Sequence, residues 1–267
     1  MESTSAGTER LDAAAIAAAL GPRAREIEIE VVSSCGSTNT LLLEREAGDL
    51  PCLLAADHQS AGRGRHGRRW HAAPGAGISF SLRRRMRRAL RELAGASLAA
   101  GVAVARALRA AGAPGIALKW PNDLLAPGGA KLGGILIETR VQHRSAVAVI
   151  GIGVNYRSLP DPRVRRRTAA LEELLRPLPP RNQLIGRITR ELLDVLDSFD
   201  ASGLAPLREE WESLHAHAGQ RIRLRLADGS VVSGIHAGVA DDGAMRVRTR
   251  DGVRALHSAR VLSARPA

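Results

Sequence analysis

Lysine is nearly absent from this chain. Of 39 basic residues only two, Lys119 and Lys131, are lysines, and 27 acidic residues leave a formal net charge of +12. Aromatic residues are scarce too, at 2% of 267 residues. That shortage removes the stacking platforms on which single-stranded nucleic-acid binding depends. No helix-turn-helix or zinc spacing accompanies the positive charge either. An arginine excess beside so much Ala and Gly is what a GC-rich coding sequence produces. The runs RRRMRR (83–88) and RVRRR (163–167) therefore read as solvated surface. The two cysteines, Cys35 and Cys52, have no metal-like spacing and fit a reducing compartment. No apolar run approaches a membrane span. AAAIAAAL follows ERLD, without the basic flank and cleavage pattern of a secretory signal. A cytoplasmic protein is expected, with a core of Ala, Val, Leu and Ile drawn from the 45% hydrophobic share.

Scarcity makes the survivors informative. Arg is a planar fork, whereas Lys is a compact charge on a flexible stem, so a retained lysine marks chemistry that Arg does not supply. Both lysines fall within LKWPNDLLAPGGAKLGGIL. Of four asparagines, Asn39 sits in GSTN, Asn122 in KWPND and Asn155 in GIGVN; Trp70 and Trp120 lie in or beside such stretches. Trp120 fits core packing and a site role equally well.

GRGRHGRRW (62–70) carries Gly62, Gly64 and Gly67 in the G-x-G-x-x-G pattern. A dinucleotide-binding turn needs a helix opening from it and an acid about 20 residues on. Here Pro74, Gly75 and Gly77 interrupt any helix, ISFSL reads as a strand, and RRRMRR stands where the acid belongs. The Rossmann reading fails. What is left is a glycine loop with four arginines, Arg63, Arg65, Arg68 and Arg69.

Along the chain, a lead-in (1–24) holds one helix over 11–20, ended by Gly21-Pro22. EIEIEVV alternates as a strand. Ser37 or Thr38 caps a helix running to Ala47 and opening N–H groups to an anion. Residues 89–112 read as one long helix. IALKW, LLA, KLGGILIETRVQ and AVAVIGIGVN read as strands joined by tight turns. Residues 181–215 return to helix. Hairpins with helices packed on them describe an α+β mixed sheet, here 25–217. Residues 218–267 are short strands with Asp-Gly turns, a small β-barrel.

Arg63, Arg65 and Arg68 are suited to phosphate oxygens, and Lys131 to a carboxylate and to charge growing at phosphorus. There is no Ser-His-Asp order, metal-ligand spacing or G-x-x-x-x-G-K. On residues alone the chain binds phosphate and a carboxylate.

GSTN, QSAGRGRHGRRW, LKWPNDLL, KLGGILIE and VIGIGVN, in this order and followed by a small barrel, resemble the biotin–protein ligases. The resemblance covers about residues 30–156 by motif and the C-terminal barrel by architecture. It implies a catalytic domain related to class II aminoacyl-tRNA synthetases and lipoate ligases, with an SH3-like C-terminal domain. It also implies two steps: biotin and ATP with Mg²⁺ give biotinyl-5′-AMP, and a lysine of a biotin carboxyl carrier domain then takes the biotin. By motif, Ser37, Thr38, Asn39, Gln59, Arg63, Gly64, Arg65, Lys131, Gly133 and Gly134 would bind biotin, with Lys131 and Arg65 catalytic. Arg63, Arg65, Arg68, Trp70, Lys119, Asn122 and Asn155 would bind ATP or the adenylate, and Asp123 would contact Mg²⁺. His66 departs from the arginine frequent in the family. Fewer than 30 residues precede the first strand, so no repressor domain and no specific DNA binding are expected, in a monomer or weak homodimer. A lipoate ligase would share the fold, but GRGR-x-G with KWPND argues for biotin.

Overall fold

The computed structural model describes residues 9–158 and 167–267; most of the run 163–167 lies outside them. Asp12 caps the first helix by accepting from Ala15 N at 2.7 Å. The elements are α1 (Ala13–Leu20), β1 (Glu28–Cys35), α2 (Thr38–Glu44), β2 (Cys52–Gln59), β3 (Gly77–Met86), α3 (Ala96–Ala110), β4 (Ala117–Lys119), β5 (Asp123–Leu125), β6 (Lys131–Gln142), β7 (Ser145–Asn155), α4 (Arg181–Ser202) and α5 (Ala205–Leu214). Seven strands form one mixed sheet in the order β1-β2-β3-β7-β6-β5-β4. β1 and β2 run parallel, and the remaining pairs are antiparallel.

Strand alternation divides this sheet into two unlike faces. Ile78, Phe80 and Leu82 of β3, with Ile150, Ile152 and Val154 of β7, join the main core under α1, α3 and α4. The alternate residues meet α2 on the other face, where Cys52, Leu54 and Val149 pack with Leu42. That second face carries small and polar residues toward one end: Ser79 and Ser81 on β3, Gly151, Gly153 and Asn155 on β7, and Gly134 on β6. Apolar mass thus goes to the helix-covered side, and the space beside α2 is left to polar chemistry. The lead-in helix is part of the same core, since Ile16 and Leu20 are fully buried and α1 lies on α4.

Four expectations change. RRRMRR is not solvated surface. β3 extends into it as far as Met86, so Arg83 is buried on the α2 face, while Arg84 turns to the helix face and pairs with Asp197 at 2.9 Å and Asp200 at 3.5 Å; Arg87 alone of the run is exposed. The helix at 89–112 is interrupted: Leu90–Leu93 is a 3₁₀ turn, and α3 starts at Ala96. Gly95 at the break packs against Leu204, and a side chain on Gly243 would meet its Cα, so the C-terminal sheet presses on the chain there. The helical stretch Leu90–Ala110 is also long and apolar enough to span a membrane by composition, and most of it is buried in the core. Finally, α2 stops at Glu44, three residues short of Ala47.

The C-terminal strands β8 (Arg221–Arg225), β9 (Val231–Val239), β10 (Met245–Thr249), β11 (Gly252–Leu256) and β12 (Arg260–Arg265) form an antiparallel sheet in the order β11-β10-β9-β8-β12. Gly229, Gly243 and Gly252 take positive φ at their turns, as Asp-Gly hairpins require. β8 alternates exposed arginines with buried Ile222 and Leu224. Ile222, Leu224, Val239 and Val247 join the main core across the junction, which also carries specific polar contacts. Trp120 Nε1 donates to Gly243 O at 3.0 Å, and Val239 N donates to Glu212 at 2.9 Å.

Candidate active site

The site is built around the start of α2. Ser37 is the N-cap, and its hydroxyl accepts from Thr40 N at 3.5 Å. Gln59, at the end of β2, accepts from Thr38 N at 2.8 Å and from Thr38 Oγ1 at 3.2 Å. From β3 below, the buried Ser81 hydroxyl lies 2.7 Å from Thr38 Oγ1 and donates to Asn39 Oδ1 at 2.6 Å. Asn39 Nδ2 donates to Leu136 O at 3.2 Å and to Glu138 Oε2 at 3.0 Å. Both amide hydrogens of Asn39 are thereby committed inside the protein. Gly151 makes room for this amide, because a Cβ there would stand 2.3 Å from Asn39 Oδ1.

The glycine–arginine loop folds back on itself. Trp70 N donates to Gly62 O at 2.9 Å and Gly64 N to Arg68 O at 2.7 Å, with a bridge between Arg63 and Arg69. His66 (φ 56°) and Gly67 (φ 69°) form the left-handed tip. The arginines are treated unequally. Arg63 is held by Glu138 Oε1 at 2.7 Å and Thr40 Oγ1 at 3.2 Å. Arg65 is half-buried, and among the described residues no carboxylate pairs with it. Burial pulls its guanidinium below the ordinary arginine range, Arg68 adds to that, and the charge of Asp123 opposes it. Arg68 and Arg69 are exposed.

Opposite the loop, Lys131 at the start of β6 is buried and ion-paired with Asp123 of β5. Its ammonium lies 5.8 Å from the Trp70 ring centroid, within cation–π range. Trp70 covers Gly153, and its Nε1 is buried without an acceptor among the described residues. A side chain on Gly134 would meet Lys131 Nζ at 3.1 Å; Gly133 instead permits the close approach of Gly153 O. Asn122 closes the KWPND turn by donating to Ile135 O at 2.7 Å. Asn155 Nδ2 donates to Lys131 O and Ala169 O at 3.2 and 2.9 Å. These two asparagines set the backbone on which Lys131 stands.

Residues 32–155 match the biotin/lipoate A/B protein ligase family, and 217–262 match the biotin protein ligase C-terminal domain. The chain is 36% identical to a biotin–[acetyl-CoA-carboxylase] ligase of Mycobacterium tuberculosis, over 81% of each chain. It is 35% identical to the bifunctional ligase/repressor BirA of Escherichia coli, over 84% of this chain and 70% of that one. The fold is that of a biotin protein ligase from Aquifex aeolicus, solved with biotin and ATP. That match has a TM-score of 0.73 at 24% identity and covers 90% of this chain and 99% of the other. The chain belongs to the biotin protein ligase family.

As a member of this ligase family, the chain gathers most of the expected residues into one place. Ser37, Thr38, Asn39 and Gln59 form one hydrogen-bonded group. Arg65, Trp70, Asp123 and Lys131 form a second, charged one. Gly64, Arg68, Asn122, Gly133, Gly134 and Asn155 shape the loop and strand ends between them. Lys119 stands on the edge strand β4, directly opposite Asp123 in the β4–β5 register, and its charge also acts on His215 and His217. Trp120 also belongs to the domain junction. Asp123 fits poorly as a magnesium ligand. Its carboxylate is engaged by Lys131 and faces Arg65, whereas Mg²⁺ favours one or two carboxylates with waters and substrate phosphates. The described group of three donors, Glu28, Glu30 and Cys52, lies on β1 and β2, with Glu30 held by Arg45 at 2.7 Å.

Three residues at the site went unread in the sequence: Thr40, Ser81 and Glu138. A serine inside an apolar strand and an acid closing KLGGILIE were the available signals.

Proposed function

We propose that this ligase activates biotin with ATP and transfers it to a lysine of a biotin carboxyl carrier domain. The observation that carries the reading is the pairing of Lys131 with Asp123 beneath Trp70, with half-buried Arg65 close to the same carboxylate. Two cations held in a partly dry site interact strongly with charge that develops between them. A biotin carboxylate oxygen attacks the α-phosphorus of ATP, forming the acyl–phosphate bond of biotinyl-5′-AMP and releasing pyrophosphate. A carrier lysine amine then attacks the acyl carbon, forming the amide, losing a proton and releasing AMP. No protein nucleophile is required. Positioning two bound reactants and stabilising charge supply the catalysis.

Each group has a defined task. The Thr38–Gln59–Ser81–Asn39 group supplies a rigid polar wall for the biotin head. Lys131 binds the carboxylate, exchanging Asp123 for substrate as the negative charge arrives, and Arg65 covers the α-phosphate. The Trp70 Nε1, without a partner among the described residues, is a donor for the nucleotide half, consistent with the rule that buried polar groups find partners. Magnesium enters with the ATP phosphates. The loop shields the mixed anhydride from water. The reaction belongs to the cytoplasm, where carrier domains and ATP meet.

The test is exchange of labelled pyrophosphate into ATP by purified protein. Exchange that depends on biotin and not on lipoate supports the reading. Exchange with lipoate alone changes the substrate, and none with either overturns the proposal.

A further inference from the structure

Glu138 closes the KLGGILIE segment on the α2 face of the sheet, and it holds two elements of the site at once. Its Oε1 accepts from Arg63 at 2.7 Å, and its Oε2 accepts from Asn39 Nδ2 at 3.0 Å. Arg63 also donates to Thr40 Oγ1 at 3.2 Å. One carboxylate therefore ties the glycine–arginine loop to the first turn of α2 and to β6. The Glu138 side chain is 21% exposed and that of Arg63 46%, so the pair sits at the mouth of the site, partly shielded from solvent.

This arrangement divides the work of the loop cations. Arg63 already has an internal counter-charge. Asn39 has spent both amide hydrogens, on Leu136 O and Glu138, and its carbonyl accepts from Ser81. Arg65, in contrast, has no carboxylate paired with it among the described residues, and its charge interacts with that of Asp123, the ion-pair partner of Lys131. We infer that Glu138 is a positioning residue for the biotin half of the site. It latches Arg63, and through it the loop, onto α2, while it fixes the Asn39 amide. Arg63 acts as the hasp of this latch, and Arg65 is the loop cation that meets phosphate. The inference rests on the ligase reading of the site.

The latch and the ligase reading can be separated in one set of variants. Glu138→Gln keeps an acceptor oxygen for Asn39 and removes the charge facing Arg63. Two experiments are read: pyrophosphate exchange, for kcat and the KM values of biotin and ATP, and trypsin cleavage at Arg63, Arg65, Arg68 and Arg69 in the ligand-free protein, mapped by mass spectrometry. The expected result is a rise of about fivefold in the biotin KM, with kcat and the ATP KM within about twofold, the size of a partly exposed ion pair. Loop cleavage should accelerate by a similar factor, because it follows the open population. Arg63→Gln should raise the biotin KM, and cleavage at the shared sites Arg65, Arg68 and Arg69, as Glu138→Gln does, and the double variant should be no worse than either single one, as partners in one interaction behave. An unchanged biotin KM with unchanged cleavage overturns the latch. So does a fall in kcat at constant KM, or additive single effects. If Glu138→Gln does not fold, Glu138→Asp carries the same readouts. A wild-type protein that exchanges no pyrophosphate with biotin would sink the ligase reading, while the cleavage rates would still decide the latch.

Discussion

The Trp70 indole lies against the backbone of Gly153 so closely that a Cβ on Gly153 would stand 2.6 Å from Trp70 Cε2. The glycine of VIGIGVN is thus shaped by the tryptophan that ends the glycine–arginine loop. Gly153→Ala should displace the indole from its place beside Lys131. Overpacking of this kind costs about 1–3 kcal/mol, and a misplaced binding group costs about tenfold or more in rate. The expected outcome is a raised KM for ATP with a smaller change for biotin, measured by pyrophosphate exchange. Unaltered kinetics in a folded variant would remove Trp70 from the nucleotide half of the site.

The scarce residues led to this contact, but not to its geometry. Lys131, Trp70, Asn122 and Asn155 stand out because Lys, Trp and Asn are rare here. Their tasks differ in ways that rarity does not reveal: Asn122 and Asn155 bind backbone, Trp70 packs on a glycine, and Lys131 pairs with Asp123. Glu138 escaped notice because one acid among 27 acidic residues carries no such mark. Its partners are 75 and 99 residues away in the chain.

Lys131 and Arg65 should prove unequal to any other pair of cations in the chain. Lys131→Ala and Arg65→Ala should each lower the rate of biotin-dependent exchange by about 10²–10³-fold, the cost of removing one group aimed at developing charge. Circular dichroism should show the fold intact, since both side chains serve the site and not the core. Near-wild-type exchange by both would undo the assignment of the charged group.

Trp120 should matter for stability and not for chemistry. It is buried, and its indole N–H reaches across to Gly243 O in the C-terminal sheet. Trp120→Phe leaves that partly buried carbonyl without its donor, at a cost of about 1 kcal/mol. Calorimetry should show a Tm lower by several degrees, with the KM for biotin and ATP unchanged. A shift in either KM with no change in Tm would return Trp120 to the site.

The fold was legible wherever one strand face is apolar, because alternation with a period of two survives in the residue order. It was lost where a partner lies far along the chain. Arg83, Arg84 and Arg85 look like solvated charge until Asp197 and Asp200, on a helix more than a hundred residues downstream, meet Arg84. The break at Gly95 is invisible for the same reason, since the turn at Gly243 that packs closely against it lies far along the chain.

The junction between the two sheets also holds a histidine group with a consequence for pH. His215 stacks on Trp211 at 4.6 Å and lies 4.4 Å from His236 and 5.7 Å from His217, and its Nδ1 is 3.0 Å from Leu118 O. Burial, with the neighbouring His236, pushes His215 down to about 3, and burial pushes His236 down to about 4 despite Glu212. Burial and Lys119 lower His217 in the same direction. The unfolded chain therefore takes up protons below about 6.5 that the folded chain refuses. The stability these neutral histidines allow is complete above that pH and is lost as pH falls toward 4 and then 3. Each histidine costs up to about 1.4 kcal/mol per pH unit within its window. Thermal unfolding should show a Tm flat from pH 7 to 8 and falling below pH 6.5. His236→Gln, which does not titrate, should make that fall shallower. A slope below pH 6.5 that is identical in wild type and variant would place the acid sensitivity elsewhere, among the carboxylates of the paired arginines.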